Sequence, residues 1–399
     1  MKSVDKDYYI ADLEDDDDEV VTFEDDDEEE APVRRKTKRS GLKLALVGLG
    51  YACVVVAVLY LATTIYIYVS DKMSESLGLS DNGEPVIYTK EDLDNAVAAV
   101  RSEGPDESAL EAAKQEGIDE GRRQITEEMM RRLLDGDTVV DTIRPYYPDR
   151  IVWGTNGNFH FEPIDTSLRM SAVTQDQIEF DENGYMNYVV DGQNLGHKGI
   201  DVSEYQGNID WNKVAESGVE FAFVRCAYRG YGTGKLVEDK NFAKNMQGAL
   251  AAGLHVGSYV FTQATTREEV EEEVNLAVVM TVQQATDVPI VIDVERVSNG
   301  GGRMDQLSAQ ERTDLVLYFC ELVSSYGFRP YIYYNTDMAV LRLELDRLEA
   351  YPKWFASYSD TLFYPYDYEI LQYSNKGKVP GISGDVDMNV SFDAFWDRG

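Results

Sequence analysis

The octapeptide Pro289-Ile290-Val291-Ile292-Asp293-Val294-Glu295-Arg296 reads as an apolar strand that ends in two carboxylates. Side chains alternate along a strand, so Asp293 and Glu295 point the same way, about 6 to 7 Å apart along the chain. Paired carboxylates are what sugar hydrolysis needs. One stays protonated and donates to the leaving oxygen, while an anionic neighbour stabilises positive charge developing at the sugar carbon. A lone D-x-E at a solvated strand end is common, so the motif gains meaning only from its surroundings.

Outward from this segment the chain repeats strand, loop and helix. Strands are predicted at Gly199 to Ser203, Glu220 to Ala227, His255 to Phe261, Val288 to Val294, Pro330 to Tyr334, Trp354 to Ser357, Ile370 to Tyr373 and Val386 to Asn389. Helical patterns at Phe242 to Ala252, Arg267 to Ala285 and Ser308 to Tyr326 separate the earlier ones, and helices shrink away after about Ala350. Alternating strands and helices predict an α/β fold with a parallel sheet, closed into an irregular (β/α) TIM-like barrel. In such a barrel functional groups gather at the C-terminal ends of the strands. Asp201 in the first strand, Asp293 and Glu295 ending the fourth, and Asp387 in the last would meet at one mouth.

The rest of the 399 residues is read as separate pieces. A net charge of -36, from 73 acidic and 37 basic residues, repels phosphate backbones and gives no support for nucleic-acid binding. Much of the acid lies in residues 1–40, whose blocks Asp15 to Glu19 and Asp25 to Glu30 predict a disordered tail followed by a basic flank. Within 41–70, the uncharged run Leu44 to Ser70 is long enough to cross a bilayer of about 30 Å. Arg34, Arg35, Lys36, Lys38, Arg39 and Lys43 precede it, which predicts a single-pass anchor with its N-terminus in the cytosol. Residues 71–140 read as a helical stalk. Its second helix, about Asp106 to Leu134, carries Ile118, Ile125, Met129 and Leu133 as a thin stripe through which two chains could pair. Residues 141–197 read as a small β subdomain of hairpins, with turns at Gly154 to Gly157 and Glu182 to Gly184 and aromatics best placed in a core. Cys53 falls in the apolar run; Cys226 and Cys320 read as buried thiols rather than a disulfide framework.

Several stretches occur together and in order: G-I-D-V-S-E-Y-Q-G-N-I-D-W from Gly199, F-V-R-C-A-Y-R-G-Y-G from Phe223, A-A-G-L-H-V-G-S-Y-V-F from Ala251, P-I-V-I-D-V-E, and the terminal L-Q-Y-S and G-D-V-D-M-N. With them the segment 198–399 resembles the glycoside hydrolase family 25 lysozymes, the N-acetylmuramidases. The resemblance implies an irregular α/β barrel that needs no metal or other cofactor. It also implies hydrolysis of the β-1,4 bond between N-acetylmuramic acid and N-acetylglucosamine in peptidoglycan strands, with retained stereochemistry. By the same similarity Glu295 is the general acid/base, Asp293 orients the 2-acetamido group or supports the cation, and Asp201 and Asp387 complete the charged floor. Whether a carboxylate or the acetamido group captures the sugar carbon stays open at this stage.

Tyr259, Tyr334 and Trp354 sit at or near strand ends and are candidates to stack on sugar faces; Arg225, Asn335 and Gln372 are candidates to bond hydroxyls, acetamides or carboxylates. For Arg225 a salt bridge to a neighbouring acid competes with that role. The run G-S-Y-V-F-T-Q-A departs from the more aromatic or histidine-containing form of many relatives, and Asp385 adds an acid beside Asp387. His160, His197 and His255 show no metal spacing, and Gly230 to Gly234 lacks the lysine and serine of a phosphate loop. Together these readings predict a wall-remodelling muramidase on a bacterial cell membrane, exposed outside. The rival from another class is a barrel that grips peptidoglycan without cutting it and tethers membrane to wall.

Overall fold

The computed structural model describes residues 90–103, 107–155, 157–285, 288–297, 301–359 and 361–397. The acidic tail, the basic flank, the apolar run 44–70 with Cys53 and the first part of the stalk lie outside them. Among the described residues no helix is long and apolar enough to cross a membrane. Two compact units emerge, one ending at Thr126 and one beginning at Glu127. The first holds the helix Lys90–Glu103 and most of the helix Glu107–Leu134. Ile118 and Ile125 are exposed, and pairs such as Glu120–Arg123 join successive turns.

In the second unit, β1 (Arg150–Thr155) and β2 (Asn158–Pro163) form one hairpin, and β3 (Ile178–Phe180), β4 (Met186–Val190) and β5 (Gln193–Asn194) form a small antiparallel sheet. The β4–β5 turn is Asp191-Gly192 with positive φ at both residues, the geometry a two-residue hairpin favours. Ile151, Trp153, Tyr185 and Met186 are buried in the same apolar cluster as the outer face of the barrel strands, so both small sheets pack on the barrel. None of their residues lines the cavity at its mouth.

The barrel consists of β6 (His197–Val202), β7 (Phe221–Arg229), β9 (His255–Phe261), β10 (Pro289–Asp293), β11 (Arg329–Asn335), β12 (Lys353–Ala356), β13 (Ile370–Gly377) and β14 (Val386–Ser391), with β8 (Leu236–Glu238) added beside β7. Each strand pairs with the next and β6 closes on β7, so the sheet has no free edge around the ring. All eight predicted strands are present. The predicted parallel sheet is corrected at two places: β14 runs antiparallel to both β13 and β6, and β8 runs antiparallel to β7. The connection 378–385 is too short for a helical crossover and suffices for a hairpin, so the chain turns back on itself.

Alternation along each strand separates two cores. Phe221, Phe223, Tyr259, Val291, Tyr331, Tyr333, Trp354 and Ile370 fill the interior with Phe395. The intervening residues, among them Ala222, Val224, Ile290, Ile292, Ile332 and Phe355, belong to the cluster shared with the helices Phe242–Ala251, Arg267–Val282 and Ala309–Ser325. The interior is packed around glycines: a Cβ on Gly257 would lie 2.2 Å from the Phe223 ring and 3.0 Å from Pro289. Gly257→Ala is therefore expected to cost about 2 kcal/mol of stability by overpacking. Thermal melting checks this against Gly121→Ala, whose new methyl meets nothing within 4 Å and should not lower the midpoint.

Candidate active site

Four acids from three distant stretches meet at the mouth. Asp201 is the penultimate residue of β6, and Asp293 is the last of β10. Asp387 is the second residue of β14, and the reversal of that strand brings it level with the ends of the others, directly opposite Asp201 in the ladder. Glu295 lies two residues beyond the end of β10 rather than within the strand. Alternation nevertheless persists, because the Val294 N–H still donates to the Tyr333 carbonyl at 3.0 Å. All four acids line one cavity of about 300 Å³.

Side-chain amides and hydroxyls wire this cavity. Gln372 Nε2 donates to Asp201 Oδ2 at 2.7 Å, and Asn389 Nδ2 donates to the same oxygen at 2.9 Å. Gln372 Oε1 in turn accepts from the hydroxyls of Tyr333 and Tyr358, each at 2.7 Å. Asn389 Oδ1 accepts from Trp354 Nε1 at 2.8 Å. Glu295 shares this cavity with Tyr333 and Asp293, and Asp293 Oδ1 is buried and has no protein partner.

Burial raises the pKa of every member of the quartet, because a charged carboxylate loses water there. For Asp201 the rise stops at about 6, held back by the Asn389 and Gln372 donors. Glu295 is pushed to about 7 by burial, opposed by the polar Tyr333 hydroxyl and assisted by the Asp201 charge. Asp293 stands well above the usual carboxylate range through burial and the Glu295 and Asp201 charges, and Asp387 does so through burial and the Asp201 and Glu295 charges. At neutral pH the quartet thus carries fewer than four charges, and Asp201, with two amide donors, keeps its own most readily. The arrangement retains an acid's proton near neutrality beside an anion, which is what a leaving oxygen and a developing cation require.

The other predicted residues divide. Tyr259, Arg225, Asn335, Trp354 and Gln372 all line the cavity. Arg225 is also committed to an ion pair with Asp239 at 3.0 Å and to Glu204 at 3.4 Å, between the rings of Tyr205 and Tyr228. Asn335 Oδ1 caps the helix Thr336–Leu341 by accepting from Met338 N. Trp354 stacks on Phe223 as much as it faces the mouth. Tyr334 is a correction: it points outward, buried against Phe355 and Tyr364, and takes no part in the site. Its neighbour Tyr333 occupies the inward position. Tyr333, Tyr358 and Asn389 were missed, although parity was available as a signal: Tyr333 matches Asn335, Tyr358 matches Trp354, and Asn389 matches Asp387.

Among the described residues no group of three or more His, Cys, Asp or Glu is arranged to hold a metal ion. The histidines are dispersed, His160 on Trp153, His197 beside Glu220 and His255 on Trp396. Cys226 and Cys320 are buried free thiols whose pKa burial raises.

Comparison with known proteins adds relatives to this geometry. The sequence family described as Glycosyl hydrolases family 25 matches residues 200–382. A protein of Escherichia coli K12 described as "Uncharacterized protein YegX" is 31% identical over 209 residues, covering 48% of this chain and 68% of that one. An "Autolytic lysozyme" of Clostridium acetobutylicum is 29% identical over 194 residues, covering 48% of this chain and 55% of that one. Among solved structures, a family 25 glycosyl hydrolase from Bacillus anthracis aligns at 24% identity over 51% of this chain and 92% of its own, with a TM-score of 0.41. The modular autolysin LytC from Streptococcus pneumoniae, in complex with a synthetic peptidoglycan ligand, aligns at 21% identity with a TM-score of 0.44. This chain spans 53% of that autolysin's length.

Proposed function

Because the chain belongs to family 25 of the glycosyl hydrolases, we propose that its barrel is a muramidase. It cleaves the β-1,4 bond between N-acetylmuramic acid and N-acetylglucosamine with retention, and Glu295 is its general acid and base. The observation that carries this reading is the convergence of Asp201, Asp293, Glu295 and Asp387 on one buried cavity, where burial raises the pKa of Glu295 to about 7. Glu295 gives its proton to the glycosidic oxygen as the bond to the muramic carbon breaks. Retention in this reading rests on substrate assistance, a recognised exception to the two-carboxylate scheme. The substrate's own acetamido oxygen captures the carbon, with its N–H directed to the Asp293 carboxyl in the cavity wall. Water, deprotonated by Glu295, then releases the sugar and restores the acid.

Borohydride reduction of a wall digest tests the bond assignment. New muramitol ends are expected; glucosaminitol ends would mean that the neighbouring bond is cut. The pH dependence of kcat/KM is a second check. Activity should fall about tenfold per pH unit above about 7, as Glu295 loses the proton it must donate, and should fall below about 6, as Asp201 loses its charge. A profile still rising at pH 9 would remove Glu295 from the acid role.

The cellular reading follows from the apolar run 44–70 and its basic flank. These support a single-pass anchor with the barrel outside, confining cleavage to wall within the stalk's reach. Fractionation of cells tests it: the full chain should stay with membranes, and protease added outside should reach the barrel.

A further inference from the structure

The helix Val139–Ile143 precedes the barrel and lies outside the residues matched by the family, yet its side chains grip a loop at the mouth. Thr138 Oγ1 accepts from Asp141 N at 3.1 Å and donates to Asp141 Oδ2 at 2.6 Å, which fixes that carboxylate. Its other oxygen, Oδ1, accepts from Ser359 Oγ at 3.2 Å and Thr361 Oγ1 at 3.1 Å, both in the segment after β12. Arg144 pairs with Asp141, and its Nη1 donates to the same two hydroxyls at 3.0 and 3.1 Å. Its Nε donates to the Val152 carbonyl at 2.8 Å, and its guanidinium lies 3.7 Å from the centre of the Phe363 ring. Asp141 and Arg144 side chains are only 12% and 15% exposed, so these charge-assisted bonds are shielded from most of the solvent. Arg132, in the last turn of the helix Glu107–Leu134, donates to the Asp141 carbonyl at 2.9 Å.

The residue just before the gripped Ser359 is Tyr358, whose hydroxyl bonds to Gln372 Oε1 and so turns the amide nitrogen toward Asp201. β12 ends at Ala356, and Ser357 N–H donates to the Gln372 carbonyl at 2.9 Å. Tyr358 follows, between that bond and the gripped Ser359.

We infer that Asp141 and Arg144 are positioning residues for the active site: from outside the barrel they hold the loop that carries Tyr358, and through Tyr358 and Gln372 they aim the amide donor that Asp201 receives. The inference rests on the muramidase reading for its kinetic consequence and on geometry alone for the brace itself. Loss of the brace lowers activity without abolishing it, because Tyr333 still holds Gln372 Oε1.

The test uses the full-length protein, Asp141→Ala, the isosteric Asp141→Asn should the first fail to fold, Tyr358→Phe, and the double variant. Asp141→Ala is expected to lower kcat/KM on purified wall about tenfold, mostly in kcat. In the Tyr358→Phe background the same change should cost less than threefold, since residues acting through one another are not additive. Arg144→Lys, which keeps the charge, should recover part of the activity lost in Arg144→Ala. Multiplicative losses, or a lowered melting point with kcat/KM within twofold, would reduce the pair to a structural contact. Amide exchange over residues 357–373 separates this inference from the function. Faster exchange in Asp141→Ala supports the brace even if the parent protein hydrolyses no wall, and unchanged exchange overturns it even if the parent does.

Discussion

Glu295→Gln is expected to lower wall hydrolysis by about a thousandfold while leaving a folded protein. Glutamine keeps the size of the side chain and can still meet Tyr333 and Asp293, but it has no proton to give the leaving oxygen. The same change has a stability signature with a definite sign. In the folded chain Glu295 binds its proton up to about pH 7, whereas the ordinary value is 4.5. Between those two values the unfolded chain has released a proton that the native state keeps, so this group lowers stability as pH rises through the window, and the loss is complete above it. A difference of that size corresponds to at most about 3 kcal/mol, less once neighbouring carboxyls adjust. Glu295→Gln should therefore melt above the parent at pH 8 and close to it at pH 4.5. A variant that is less stable at both pH values would mean that the carboxyl is anchored by its partners rather than strained by burial.

Asp293→Asn carries the second largest expected effect, a fall of about a hundredfold or more in kcat with little change in KM. Asp293 Oδ1 is buried without a protein partner, while burial and the charges around it hold its proton. Asparagine can reproduce the shape. It cannot become an anion when Glu295 gives its proton away, nor accept strongly from an amide of the sugar on both sides. An interaction made mainly in the transition state is lost from kcat rather than from KM. Because the two carboxyls serve the same proton-transfer step, Glu295→Gln combined with Asp293→Asn should be scarcely worse than Glu295→Gln alone. Full additivity would show that they work independently.

Much of this site was legible before any coordinates because it obeys a period of two. D-x-E, the strand beginning at Gly199 and the terminal D-V-D-M-N mark inward-facing positions, and the same rule distinguishes Tyr333 from Tyr334. Tyr334 carries an outward ring, and Tyr333, two residues before Asn335, carries the inward one. The direction of β14 was less visible, since G-D-V-D-M-N reads alike in either sense. Only the shortness of 378–385 betrays the reversal. The position of Glu295 beyond the hydrogen-bonded strand also escaped, because alternation continues where the ladder stops. Nothing periodic signals the contact of Asp141 with Ser359 and Thr361. It joins residues more than 200 positions apart through hydroxyls and a carboxylate, which carry no patterned trace in the chain.

The most direct measurement is release of new muramic acid reducing ends from purified peptidoglycan by the full-length protein and by Glu295→Gln, with binding to the same wall measured in parallel. Abundant ends are expected from the parent, almost none from the variant, and equal binding by both. Equal release by the two proteins, or binding by the parent without release, would contradict the muramidase reading.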